Sequence, residues 1–294
     1  MDRFLVPADV ETALARAGFR PVDLVGDGWL AVALDGSGRH LELHVVAAVA
    51  DGPLTTRVTL LRALRHEHLA QLLDVVELSP GRLGLVVEHV AGPTLAQVRA
   101  ARAPLADGEA ATVAIPVAGA LGALHDAGLV HGAVTAAAVV LRPDGRPVLT
   151  DLRHALLATG DPEADVRRLV TTIVDVMPGE DVRLPSDDPS LREALVDLLT
   201  VPGLEAGRVV DRCFRVTEPS PVRLPDAGVL ASSALTAGAR RDVPARSRRA
   251  ARAPRRRGAV RASVAAGAIV LVVLAALVGR QQLVSATAAP ASTL

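Results

Sequence analysis

The sequence predicts an α+β fold followed by one membrane-crossing helix. Three observations lead there. Strand-like segments gather in the first part of the chain, and helical spacing dominates the rest. Half of the 294 residues are hydrophobic and the mean hydropathy is +0.35, so a sizeable core can be buried. Ala262 to Gly279 runs for 18 residues without a charge, and Ile269 to Leu274 is wholly aliphatic.

Leu30 to Leu34 and Leu41 to Val46 are extended and flank the turn Asp35-Gly36-Ser37-Gly38, a hairpin signal. Thr56 to Leu64 has helical spacing. A second hairpin joins Leu72 to Leu78 with Leu83 to His89 around Pro80-Gly81. Helices are then predicted at Leu95 to Arg102 and Gly108 to Ala127. A short hairpin turns at Pro143-Asp144-Gly145, between Val139 to Arg142 and Val148 to Thr150. Helical patterns return at Pro162 to Met177, Leu191 to Leu199 and Arg208 to Val216.

Composition excludes some chemistry. The chain has no lysine, no asparagine and no tyrosine, so all 32 basic residues are arginine. No lysine can clamp a phosphate and no asparagine can hold a metal. Cys213 is alone, which rules out an intramolecular disulfide or a cysteine-based zinc site.

The balanced net charge hides an asymmetry. Residues 240–261 hold ten arginines against Asp242, whereas residues 1–239 hold 21 arginines against 31 acids. As a helix, 262–279 would span roughly 27 Å, enough for a hydrocarbon core of about 30 Å. Its basic flank orients it with the long N-terminal part in the cytoplasm, as a single-pass protein of the cell membrane. Arg246, Arg248, Arg249, Arg255, Arg256 and Arg257 are then placed to meet anionic lipid headgroups. No aromatic residues accompany these arginines for base stacking, so no nucleic-acid partner is expected. The expected organisation is a folded domain over 1–218, a Pro/Arg-rich linker over 219–261, the membrane helix over 262–279 and an extracytoplasmic tail over 280–294. The N-terminus has no apolar run of the signal-peptide kind.

Within the folded part, four strings stand in order. They are Leu60-Leu61-Arg62-Ala63-Leu64-Arg65-His66-Glu67-His68-Leu69, Leu85-Val86-Val87-Glu88-His89-Val90-Ala91-Gly92, Leu124-His125-Asp126-Ala127-Gly128-Leu129-Val130-His131-Gly132, and Arg146-Pro147-Val148-Leu149-Thr150-Asp151. Together they resemble the regulatory helix, hinge strand, catalytic-loop entry and metal-aspartate strand of bacterial serine/threonine protein kinases. The resemblance covers roughly 20–218. It implies a bilobal kinase-like fold, with a small β-rich N-lobe and a shortened helical C-lobe meeting near 90–95.

The resemblance also locates the catalytic positions. His44 stands where the kinase lysine belongs, and Arg57 where its partner glutamate belongs. The catalytic-loop base is replaced by Ala133, and the asparagine that ligates the second metal by Ala138. Asp151 keeps the metal aspartate, followed by Leu152-Arg153. Gly26 and Gly28 form a partial glycine-rich loop, with Asp27 between them. Asp151 precedes Asp165 by only 14 residues, which leaves little activation segment. The resemblance therefore implies a pseudokinase: no catalytic residues, no metal, no required cofactor, and a regulatory or scaffolding role toward a cytoplasmic protein partner. The alternative is an atypical nucleotide-binding or weakly active Ser/Thr protein kinase, with ATP and Mg²⁺ held by Gly26, Gly28 and Asp151. His131 is expected to be a buried scaffold histidine.

Overall fold

The computed structural model describes residues 6–157, 160–179 and 190–233. The chain opens with α1 (Ala8–Arg16) and then builds an antiparallel sheet. Its strands are β1 (Phe19–Val25), β2 (Gly28–Ala33), β3 (His40–Ala47), β4 (Leu72–Ser79) and β5 (Arg82–Glu88), in the order β1-β2-β3-β5-β4. α2 (Gly52–Ala63) crosses between β3 and β4. Asp51 starts it, accepting a hydrogen bond from the Leu54 amide at 2.8 Å.

Alternation along β3 gives the sheet two different faces. Leu41 and Leu43 point outward, where Val10 and Leu14 of α1 cover them together with Ala31 and Val86. Asp9, in the first turn of α1, is ion-paired to Arg82 of β5 at 2.6 Å and fixes the helix on that face. The other face carries His44 and Val46, alongside Leu85 and Val87 of β5, and looks toward the rest of the chain.

After β5 the chain crosses to the helical lobe through His89–Pro93. There the Pro93 carbonyl accepts from the Leu141 amide at 2.9 Å. Gly92 has φ 144°, and a Cβ on it would lie 2.0 Å from the Leu141 carbonyl oxygen, so only glycine fits. The helical lobe contains α3 (Leu95–Ala101), α4 (Asp107–Asp126), the hairpin β6 (Val139–Leu141) with β7 (Pro147–Leu149), α5 (Arg153–Leu157), α6 (Pro162–Val176), α7 (Leu191–Leu198) and α8 (Ala206–Val216). α4 is the centre. Ala110, Ala111, Ala114, Ala118 and Ala120, with Val113, Val117, Leu121 and Leu124, are fully buried in one core shared with α6, α7 and α8.

The segment after α8 lies along α4. Ser220 donates its amide to the Gly108 carbonyl and accepts from Thr112 Oγ1. Glu109 anchors the same region. Its carboxylate takes a two-pronged bond from Arg102 at 2.8 Å and the amides of Ala106 and Arg223.

The α+β class and a β-sheet lobe compatible with a kinase-like fold stand, and the expected membrane-crossing helix is corrected. Among the described residues no helix is long and apolar enough to cross a membrane. The longest described helix, α4, has 20 residues, but its apolar surface is consumed by the core. The segment 262–279, on which that expectation was placed, lies outside the described residues, as do the arginines of 240–261. Three described elements, α1, β1 and α5, were not anticipated from the sequence.

Glu109→Ala is expected to cost about 3–5 kcal/mol in urea unfolding, because it leaves the largely buried Arg102 with only the Arg223 carbonyl and no counter-ion, and leaves two amides without partners. Glu109→Gln is expected to cost less, since an amide oxygen still accepts.

Candidate functional site

The sequence-flagged residues fall on both sides of the space between sheet and helices. From above come β2, β3 and the two-residue turn Gly26-Asp27. Val25 pairs directly with Gly28, and Gly26 has φ 58°, which is the type II′ arrangement. Gly26 and Gly28 thus belong to a tight hairpin whose tip is Asp27.

His44 is 7% exposed, and Gly28 is its partner in the adjacent strand. A Cβ on Gly28 would lie 2.5 Å from the imidazole, so the ring occupies the space that glycine leaves free. His44 Nε2 meets Glu42 Oε2 at 2.9 Å, while Nδ1 is buried without a hydrogen-bond partner. The other Glu42 oxygen meets His89 Nδ1, just past β5, at 2.8 Å. Burial opposes ionisation of Glu42, but its two imidazole hydrogen bonds outweigh that and hold its pKa at about 2. Nothing in sequence spacing pointed to Glu42. Its proximity to His44 in β3 was visible, but its bond to His89 depends on pairing of β3 with β5.

From below come Asp151 and its surroundings. Asp151 is the one described non-glycine residue with positive φ, at 62°. Arg153 binds it through two parallel hydrogen bonds, Nε to Oδ1 at 2.6 Å and Nη2 to Oδ2 at 3.0 Å. The third arm, Nη1, reaches Asp27 Oδ2 at 3.2 Å. One guanidinium therefore joins the hairpin tip to the strand end. Burial opposes ionisation of Asp151, yet the Arg153 hydrogen bonds hold its pKa below the usual carboxylate range.

A buried polar relay supports this end. Asp165, at the start of α6, accepts the amides of His131 at 2.6 Å and Gly132 at 2.8 Å, and meets His125 Nε2 at 3.3 Å. His131 is fully buried. Its Nδ1 accepts from the Ala133 amide at 3.3 Å and its Nε2 faces the Thr150 carbonyl at 2.7 Å, which fits a neutral ring protonated on Nε2. Burial pushes its pKa down in keeping with that form. His131 is thus the scaffold histidine expected from the sequence.

Ala133 and Ala138 contribute no polar side-chain atom. Arg57 on α2 donates to the Leu156 carbonyl of α5 at 3.2 Å. Trp29 packs on the outer face of the sheet, with the α1 cluster. His68 Nδ1 meets the Pro147 carbonyl at 2.7 Å. Among the described residues no group of three or more His, Cys, Asp or Glu side chains is placed to hold a metal ion.

A sheet lobe, a glycine-pinned crossing and a helical lobe with an aspartate after a short hairpin are compatible with a protein kinase-like fold. Comparison with known proteins points the same way. The chain is 32% identical over 171 residues to serine/threonine-protein kinase PknK of Mycobacterium tuberculosis, with the same figures for PknK of Mycobacterium bovis. The match takes in 54% of this chain and 15% of the relative, so it speaks for one kinase-like region and not for the whole protein. No family model matches the chain.

Two outcomes follow from this geometry. Glu42→Gln is expected to lower stability by about 2 kcal/mol at neutral pH. A carboxylate with a depressed folded-state pKa stabilises in full above its ordinary value of 4.5, and that stabilisation is lost as pH falls toward about 2. Denaturant melts of both proteins are therefore expected to converge across that window. Gly28→Ala is expected to cost about 1–3 kcal/mol by overpacking against the imidazole. A double-mutant cycle with His44→Ala is expected to recover most of that loss.

Proposed function

We propose that this kinase-like domain works as a binding module, regulatory or scaffolding, and not by phosphoryl transfer. The observation that carries the reading is the Arg153 guanidinium clamped on both oxygens of Asp151. Phosphoryl transfer depends on positioned charge: a cation on the phosphates, metal ions on an aspartate and an asparagine, and a base for the incoming hydroxyl. Here the aspartate already has an internal counter-ion. The asparagine and base positions are Ala138 and Ala133, and the cation position is His44, engaged by Glu42.

A magnesium–nucleotide complex does not fit these residues. Asp151 would have to give up Arg153 before ligating a metal. The turn Gly26-Asp27 is closed by strand pairing and presents a carboxylate where phosphates would need donors. What such a domain offers is surface: its sheet lobe and helical lobe are well packed, and activity would consist of holding a protein partner.

One feature favours the second reading, residual nucleotide binding. Asp151 is kept at its motif position in an unusual left-handed backbone conformation.

The two readings separate in a thermal-shift experiment on the full chain. No change in Tm is expected with millimolar ATP and MgCl2, and no phosphate transfer to a generic acceptor protein. A Tm increase that disappears in Asp151→Ala would overturn the binding-module reading in favour of a nucleotide site.

A further inference from the structure

The contact between Arg153 and Asp27 has a mechanical meaning that holds whether or not a nucleotide binds. We propose that Arg153 is a latch across the cleft, holding the β1–β2 hairpin down onto the helical lobe, with Asp27 as the arm that releases.

The two arms of the guanidinium are unequal. The Asp151 arm is bidentate, and both side chains are about three-quarters buried. The Asp27 arm is a single bond at 3.2 Å to a carboxylate that is 81% exposed. A bidentate, sheltered pair resists water and salt. An exposed single contact is screened and exchanges readily. Any force that lifts the hairpin therefore breaks the Asp27 contact first and leaves Arg153 parked on Asp151.

Placement in the fold supports a lever. β1 is an edge strand, at the opposite side of the sheet from β4. Other ties to the helical lobe come from α2, where Arg57 donates to the Leu156 carbonyl of α5, and from the β4–β5 side. The Ala70 amide donates to the Leu149 carbonyl, His68 meets the Pro147 carbonyl, and Arg142 pairs with Glu88 at 3.2 Å. Among the described residues, the Asp27–Arg153 contact is the hydrogen-bonded tie from the β1–β2 hairpin to the helical lobe. The hairpin turn lies about four residues along the strands from the end of β5 at Glu88, roughly 13 Å at 3.3 Å per residue. Latch and hinge thus stand at opposite ends of the same strands. Directly behind the latch lies the His44 ring, packed against Gly28. Release would uncover that ring and the Asp151 end of the cleft together, so the latch governs access to the space between the lobes.

The test is hydrogen exchange measured by mass spectrometry on the full chain, following peptides from 19–33 with peptides of α6 as the internal reference. Asp27→Asn removes the charge at an exposed tip and is expected to speed exchange in the hairpin about fivefold while leaving α6 unchanged. Asp27→Glu is expected to keep the wild-type rate. Arg153→Gln is expected to match Asp27→Asn, and the double variant to be no faster than either single one, because both break the same contact. For the wild type, about 1 M NaCl, where screening acts over roughly 3 Å, is expected to reproduce the Asp27→Asn rate. Hairpin exchange unchanged in Asp27→Asn would overturn the latch, as would additive acceleration in the double variant. If Arg153→Gln does not fold, Asp27→Asn and the salt series decide by themselves. The readout is separate from the nucleotide thermal shift, so either reading can fail alone.

Discussion

The arrangement between the lobes rests on one buried carboxylate. Asp165 is 1% exposed, which is tolerable only because donors surround it: two backbone amides, an imidazole and a contact from Arg168. These donors belong to the end of α4, the His131–Gly132 loop and α6, so satisfying one charge fixes three parts of the helical lobe. The constraint then propagates. With its backbone held, His131 turns its ring to the Thr150 carbonyl, and the next residue is Asp151. The position of Asp151, and through it of Arg153, is set by a polar chain that begins at the first turn of α6.

The space between the lobes is organised by counter-ions drawn from the chain itself. Glu42 hydrogen-bonds both His44 and His89, so the polar side chains of this strand are committed to one another. Asp151 is taken up by Arg153, and the leftover guanidinium arm by Asp27. Removing one member of a sheltered pair leaves the other charged and unsolvated, which is why such clusters resist piecemeal change. The same pairing makes the region self-contained, with its polar side chains committed to one another.

Much of the frame was legible in the sequence. Alternation in Leu41 to Val46 and the continuous apolar run from Leu83 to Val87 revealed central strands, the first with two different environments and the second buried on both faces. Apolar continuity from Gly108 to Ala127 revealed the central helix. α1 and β1 were missed for identifiable reasons. α1 shows only Val10 and Leu14 to its core, and β1 is an edge strand with Pro21 and few buried positions, so neither carries a strong period. α5 is five residues long, too short for periodicity to register. The segment 262–279, on which the membrane expectation rests, lies outside the described residues, whose own apolar content goes into a protein core.

By itself, the sequence determined which chemistry is absent: no lysine anywhere, and alanines at two positions where the kinase resemblance calls for polar groups. It also determined the order of elements and kept Asp151 and His131 in recognisable places. Only the tertiary structure decided what those residues do. Asp27 and Arg153 are 126 residues apart, and Glu42 and His89 are 47 apart. Nothing local in either segment encodes such a pairing. It arises because antiparallel β3 and β5 set Glu42 near His89, and because the type II′ turn projects Asp27 toward the strand end at Asp151. Charge pairing is a matter of distance in space, which sequence periodicity does not report until the sheet and helices have packed.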